Sequence, residues 1–400
     1  MPTPSDLKAR VERELASIVA IRHDLHQHPE LSFQESRTSG VVQRELGALG
    51  IEFKAGLGGG TGVVGYLPPS NGASEPGVAL RADMDALPIE ERTGLEYASR
   101  TKGVMHACGH DGHTAILIGA AKVLSKVERP RGVTLVFQPA EEGGGGADVM
   151  CREGALAGAK GGGVGTAPAR IYGLHGWPQV ELGTVVTRPG PLLAAVDDFD
   201  VTIVGRQAHG AYPHQGVDPI VCAAQVVTAL QTIASRSVGP LDSVVVSVGA
   251  IHAGTANNII PGEVRLIGTV RSLRAEVRAL AKTRFVEIVE GTSRACGCGA
   301  KIDYHEGYPV TANDPEATER FLAIAREAIG PGAVGIAPEP TMGGEDFAYY
   351  GAHARACFFF LGVKPAGAAG YPNLHQPEYD FNDAAIPLGV ELMTRLALEG

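Results

Sequence analysis

The sequence predicts an α/β protein. Its main part is a mixed, largely parallel sheet with helices on both faces, interrupted by a smaller ferredoxin-like α+β domain. Apolar strands alternate with helices through the first half and again near the end. That order implies parallel pairing through crossover helices. Several strands run straight into acids or histidines, and open α/β sheets keep their sites at the carboxyl ends of strands. From about residue 189 to 306 the order becomes strand, helix, strand, strand, helix, strand, the βαββαβ pattern of an antiparallel sheet covered on one face.

Residues 5–28 read as a helix, with Leu7, Val11, Leu15, Ile18 and Ile21 on one face. It ends at His28-Pro29, because the residue before proline disfavours helical angles. His23, His26 and His28 sit at that helix end, where imidazoles favour the dipole, so they read as structural. Ser32-Phe33-Gln34-Glu35 has the form of a capping box opening a second helix, which Gly50 ends. Short strands follow at 51–54, 62–66 and 78–81, the last running into Asp83-Met84-Asp85.

Then comes His106-Ala107-Cys108-Gly109-His110-Asp111-Gly112-His113, followed by a helix of small and apolar residues over 114–127. The strand 132–137 delivers Glu141-Glu142, and 171–174 delivers His175. In the second domain, strands are expected at 198–204, 243–250, 264–271 and 301–305, with helices at 218–236 and 276–295. The first theme then resumes. A helix spans about 315–329, a buried strand 357–361, His375 follows in a loop, and a last helix covers 384–398.

The net charge of −10 argues against nucleic acid and anionic membrane surfaces as partners. No apolar run is long enough to span a bilayer, and the N-terminus lacks a secretory pattern. Six cysteines in 400 residues do not make a disulfide framework. Cys296 and Cys298 read as reduced and structural, and a cytoplasmic enzyme is expected.

The chemistry lies in the residues at strand ends: Asp83, Cys108, His110, Glu141, Glu142, His175 and His375. Thiolate, imidazole and carboxylate are metal ligands, and Gly109 lets Cys108 and His110 point at one ion. The inventory exceeds what one ion needs, which suggests two ions about 3.5–4 Å apart. Neighbouring side chains after a strand point to different sides. One of Glu141 and Glu142 can therefore bind metal while the other exchanges protons with water and a leaving amine. Lewis acid, water and proton shuttle together are what amide hydrolysis requires.

The motifs HQHPELSFQE, RADMDALPI, MHACGHDGHT, FQPAEEGGGGA, GLHGWP, GRQAHGAYPHQGVDP, NNIIPGEV, MGGEDFAYY and NLHQPEYDF cover nearly the whole length in order. On these the chain resembles the aminoacylase/carboxypeptidase group of two-metal hydrolases. Within it, the resemblance is to the amidohydrolase branch of hippurate hydrolases, N-acyl-amino-acid amidohydrolases and auxin-conjugate hydrolases. It implies a two-metal aminopeptidase-like catalytic domain over 1–188 and 307–400, with a lid and dimerisation domain over 189–306. It implies Cys108, His110, Glu142, His175 and His375 as metal ligands, Glu141 as general base, and Asp83 as the acid orienting a ligand. His209 would polarise the scissile carbonyl in a partner subunit, and Asn257, Asn258 and Arg271 would hold the substrate carboxylate. His113 has no ligand role in the group.

The implied activity is hydrolysis of N-acyl amino acids, with hippurate first. A dipeptidase or carboxypeptidase is the alternative, and a non-catalytic metal-dependent binding protein the second. The implied cofactors are two divalent ions, zinc first, with manganese, nickel and cobalt also admitted. The implied assembly is a homodimer, or a tetramer built from it.

Overall fold

The computed structural model describes residues 4–70 and 72–400. The chain opens with α1 (Pro4–Gln27) and α2 (Ser36–Ala48), then β1 (Glu52–Leu57), β2 (Gly62–Leu67), β3 (Glu75–Asp83), α3 (His110–Leu124), β4 (Arg131–Gln138), α4 (Gly146–Arg152), β5 (Pro168–Glu181), β6 (Val185–Thr187) and β7 (Gly190–Leu193). It continues with β8 (Ala195–Val204), β9 (Ala208–His209), α5 (Pro219–Leu230), β10 (Val244–Ala253), β11 (Ile259–Ile260), β12 (Glu263–Ser272), α6 (Ala275–Ala295) and β13 (Gly299–Glu306). The last elements are β14 (Thr311–Asn313), α7 (Pro315–Ile329), β15 (Val334–Ile336), β16 (Arg355–Lys364) and α8 (Ile386–Glu399).

The chain divides into two compact units. The larger comprises residues up to Leu192, Ala312–Glu339 and Asp346–Gly400, and the smaller Leu193–Thr311 and Pro340–Glu345. The larger unit is built on an eight-stranded sheet in the order β1-β2-β4-β3-β5-β16-β6-β15. Its centre is parallel: β3 with β4, β3 with β5, and β5 with β16. Every residue of β4 is buried, as strands covered on both faces must be.

The small residues of α3 allow its burial on nearly all sides between α1 and α8. A Cβ on Gly119 would lie 2.7 Å from both Ile18 and Val390, so only glycine permits that approach. On α1 the buried stripe is Leu7, Val11, Ile18 and Leu25, and it also includes Arg22 and His26. No helix among the described residues is long and apolar enough to cross a membrane.

The smaller unit carries the four-stranded antiparallel sheet β10-β12-β8-β13. Phe199, Val201 and Ile203 alternate inward along β8 with period two. Cys222, Val226 and Leu230 of α5, with Val277, Ala281, Phe285 and Val289 of α6, join the same core at helical spacing. Helix α5 stops at Leu230 and the chain finishes in a π turn over Ile233–Ser237, short of the continuous helix to 236 that the sequence suggests.

The capping box expected at Ser32–Glu35 does not form. Glu30 caps α2 instead, its carboxylate accepting the N–H groups of Arg37 at 3.0 Å and Thr38 at 2.9 Å. Ser32 and Glu35 are engaged elsewhere. The dipole reading of the histidines also needs revision. His28 does bond a helix carbonyl, that of Asp24, through Nδ1 at 2.8 Å. His26 is fully buried, with Nδ1 2.8 Å from Asp111 Oδ2 and Nε2 3.3 Å from Glu91 Oε1.

Candidate metal centre

The Cys/His stretch is set by backbone geometry at the mouth of α3. Gly109 has φ of 90°, and a Cβ there would meet Tyr379 Oη and Phe381 Cδ2 at 3.0 Å. This left-handed residue turns the chain so that Cys108, before the helix, and His110, in its first turn, face the same region. His175 arrives on β5. That strand continues to Glu181 rather than ending at residue 174, so His175 lies inside the strand, opposite Phe360 of β16. His375 has φ of 64°, and its backbone N–H donates to the Ala107 carbonyl at 2.8 Å, tying a distant loop to the Cys108 turn.

Donor atoms from these elements converge. One atom from each of Cys108, His110 and His175 lies within 4.8 Å of the others, and so do those of Cys108, Glu142 and His375, and of His110, Glu141 and Glu142. Cys108 Sγ is 3.3 Å from His175 Nε2. Glu142 Oε1 is 3.1 Å from His375 Nε2, but off the line that a hydrogen bond requires.

The ring tautomers are set by the other nitrogens. His110 Nδ1 donates to the Asp85 carbonyl at 2.9 Å, and His175 Nδ1 to the Gly176 carbonyl at 2.9 Å. Each Nε2 lone pair is thereby presented inward, as metal-binding histidines present theirs. His110 Nε2 and Glu142 Oε1 are buried with no hydrogen-bond partner. Burial, then the charges of Glu142 and Glu141, pushes the Cys108 thiol well above its ordinary value. Burial would lower His110, but Asp83, Asp85 and Glu142 outweigh it and raise the imidazole to about 10. Inward-facing donor atoms without hydrogen-bond partners, a thiol that only a cation would ionise and a surplus of carboxylate charge all fit divalent metal, which would displace the His110 Nε2 proton.

Asp85, rather than Asp83, meets the Nδ1 of His110, while Asp83 Oδ2 stands 3.6 Å from that ring's Nε2. Asp83 is spent on Arg81 Nη1 at 2.8 Å and His113 Nδ1 at 2.7 Å. Asp85 accepts the N–H groups of Glu141 at 3.1 Å and Glu142 at 3.0 Å, besides lying 3.2 Å from His110 Nδ1. Asp85 was legible in the Asp-Met-Asp spacing, since alternate residues of an extended chain share a face. Arg81 then decides between the two acids by claiming the first.

His113 is structural. Its Nδ1 bonds Asp83, and its Nε2 accepts the Gly176 N–H at 2.8 Å, leaving no lone pair for a ligand role. Glu141 is 6 % exposed, and its Oε1 lies 3.4 Å from the Asp346 N–H.

The remaining predicted residues belong to the smaller unit. His209 is exposed on β9 and pairs with Ile259 of β11, and the Gly210 N–H donates to the Asn258 carbonyl at 2.7 Å. The GRQAHG and NNIIPG motifs are therefore neighbours, with Asn257 beside them. Arg271 lies apart, on β12, its Nε donating to the Thr269 hydroxyl at 3.0 Å.

A thiol, imidazole and carboxylate cluster beside a further carboxylate, at the carboxyl end of a mixed α/β sheet, is the equipment of a metal-dependent hydrolase. The chain belongs to peptidase family M20/M25/M40, whose family model matches residues 79–399. It is 42% identical over 374 residues to the N-acetyl-L-cysteine deacetylase of Bacillus subtilis (strain 168), covering 92% of this chain and 84% of that one. It is 37% identical over 390 residues to thermostable carboxypeptidase 1 of Saccharolobus solfataricus, covering 96% and 95%. Among solved structures, the Bacillus subtilis YXEP protein, described as a dinuclear metal binding peptidase from the M20 family, superposes with a TM-score of 0.79. It is 31% identical, with 97% of this chain and 98% of that one covered.

Proposed function

We propose that the protein hydrolyses the amide bond of N-acyl amino acids, releasing a carboxylic acid and a free amino acid. Hippurate is the first substrate candidate, and N-acetyl and longer N-acyl amino acids come next. The observation that carries this reading is the Glu141–Glu142 turn. Glu142 stands among the soft donors, while Glu141, one residue away, reaches the same region with its carboxylate.

Cys108, His110, Glu142, His175 and His375 would hold two divalent ions, zinc first, which would supply Lewis acidity to water and carbonyl. Glu141 takes the proton of the attacking water and returns it to the departing amine nitrogen. Asp85 keeps the His110 ring in the tautomer that presents Nε2, and anchors both acids through their backbone N–H groups. In the smaller unit we assign His209 to the scissile carbonyl, and Asn257, Asn258 and Arg271 to the substrate carboxylate, for which a guanidinium fork is suited. The working assembly in this reading is a homodimer, with residues 189–306 acting as lid and dimer contact.

An amine-release assay on metal-replete protein tests the reading with hippurate, N-acetyl-methionine and a dipeptide. Release from the acyl amino acids ahead of the dipeptide is expected. Faster release from the dipeptide would favour a peptidase, and no release with metal bound would favour a binding protein. Cys108→Ala is expected to lower metal content, read by elemental analysis, since no thiolate then faces His175. Unchanged content would remove Cys108 from the ligand set.

A further inference from the structure

The Ser32–Glu35 segment, free of the capping role its sequence suggests, grips the Glu141–Glu142 turn. Glu35 is completely buried. Its Oε1 accepts the backbone N–H groups of Phe33 at 3.0 Å and Ala140 at 2.9 Å, and its Oε2 accepts the Thr61 hydroxyl at 2.7 Å. Ala140 immediately precedes Glu141 and has φ of 54°, a left-handed conformation that a residue with a Cβ keeps only when its surroundings impose it.

The same short segment touches the turn twice more. Ser32 donates its hydroxyl at 2.8 Å to Asp85 Oδ2, the oxygen that also takes the Glu142 N–H. The ring of Phe33, itself at φ of 61°, fills the space where a Cβ on Gly144 would sit, 2.5 Å from Phe33 Cε2. Three left-handed non-glycine residues occur among those described, Phe33, Ala140 and His375, and each adjoins the donor cluster or holds the turn that feeds it. A buried carboxylate is a costly packing element, and an apolar side chain would fill the space with less penalty. What the carboxylate adds is an acceptor for the Phe33 amide, the Thr61 hydroxyl and, across the turn, the Ala140 amide.

We propose that Glu35 is a positioning residue for the reaction. It holds Ala140 in the conformation that directs Glu142 toward Cys108 and His375, and Glu141 toward the Asp346 amide. This rests on reading Glu141 as the general base. The acceptor bond to Ala140 sets the departure angle of the chain. Thr61 and Phe33 fix the carboxylate that makes that bond.

The test compares Glu35→Ala with Glu35→Gln in the full-length, metal-replete protein. Glutamine keeps an oxygen for the Ala140 N–H and can turn its amide nitrogen to the Thr61 hydroxyl. In E35A, kcat should fall about 10- to 100-fold, the scale of a small misplacement of a reacting group. KM should stay near its wild-type value, and amide hydrogen exchange should quicken in the peptide over 139–146. In E35Q both kcat and exchange should return toward wild type. Wild-type kcat per folded molecule in E35A, or unchanged exchange over 139–146, would overturn the proposal even if the melting temperature fell.

Should E35A not accumulate as folded protein, Thr61→Val frees the second carboxylate oxygen alone. Faster exchange over 139–146 in that variant supports the role, and unchanged exchange defeats it. Exchange is read without substrate, so it separates this proposal from the one beneath it. Wild-type turnover in a Glu141→Ala variant would sink the base assignment and leave the exchange result standing.

Discussion

Replacing Glu141 by alanine is expected to lower kcat by about 10²- to 10⁴-fold, the range that a positioned acid–base group supplies. Fold and metal content should be retained. The backbone N–H of residue 141 keeps its bond to Asp85 whatever the side chain, so the turn survives the truncation. Among the soft donors it is Glu142 that groups with Cys108 and His375. Glu141→Gln should behave like the alanine variant, because it keeps the volume but can neither take nor return a proton. Single-turnover kinetics and elemental analysis on the same sample check both halves. Near wild-type turnover would move the base to another residue, and lost metal would make Glu141 a ligand.

Replacing Arg22 by alanine is expected to destabilise the larger unit by about 3–5 kcal/mol, the scale for removing one partner of a buried ion cluster. Arg22 is completely buried on α1. Its Nη1 lies 3.1 Å from Asp111 and 2.8 Å from Asp380, and its Nε 2.6 Å from Asp383. Without it, Asp111 retains His26 while Asp380 loses its buried cation. Asp111 follows His110 in the first turn of α3, so the cluster fastens the metal-facing turn to the N-terminal helix. Urea denaturation followed through the larger unit measures the loss. A change under about 1 kcal/mol would mean the cluster contributes no more than a surface pair.

The same cluster carries a pH signature. Burial works against a charged His26, but Asp111 and then Glu91 raise it to about 10. A raised histidine contributes stability that is whole below its unfolded value of about 6.5 and fades as pH climbs toward the folded value. The wild-type urea midpoint should therefore decline between about pH 6.5 and pH 10, and His26→Gln should show a shallower decline. Asp111 is pushed down, chiefly by His26 and Arg22 against its own burial, so its contribution holds above the ordinary carboxylate range and is lost only in acid.

Much of this was readable from the chain because the physics there is local or periodic. Strands β3 and β4 carry the apolar stretches Val78–Leu80 and Leu135–Phe137, and the smaller unit follows the βαββαβ order. The short strands β6 and β15 escaped, because three residues carry no period to detect. The distinction between Asp83 and Asp85 escaped for another reason. Both acids stand in the same motif, and only the reach of Arg81 and His113 separates them.

Glu35 misled in the same way. Ser-x-x-Glu before a helix is a sound local signal, but a buried hydroxyl at Thr61 and an amide at Ala140 outbid the helix end for the carboxylate. Contacts so distant in sequence leave no spacing to read. The burial of Arg22 and His26 on an apolar stripe is likewise decided by the acids of α3 and of residues 380–383.

The central sheet has a consequence for biosynthesis. Strand β16 wedges between β5 and β6, yet it is translated long after both, with the whole smaller unit in between. At about 5–20 residues per second, a ribosome leaves the flank of β5 uncovered for seconds to tens of seconds. An uncovered strand of that length invites pairing with other nascent chains. The smaller unit, nearly contiguous, can mature in the meantime, while the larger must wait for its C-terminal pieces. Shortened chains that stop before residue 355 should therefore collect in inclusion bodies, and the intact chain should lean on chaperones while it is being made.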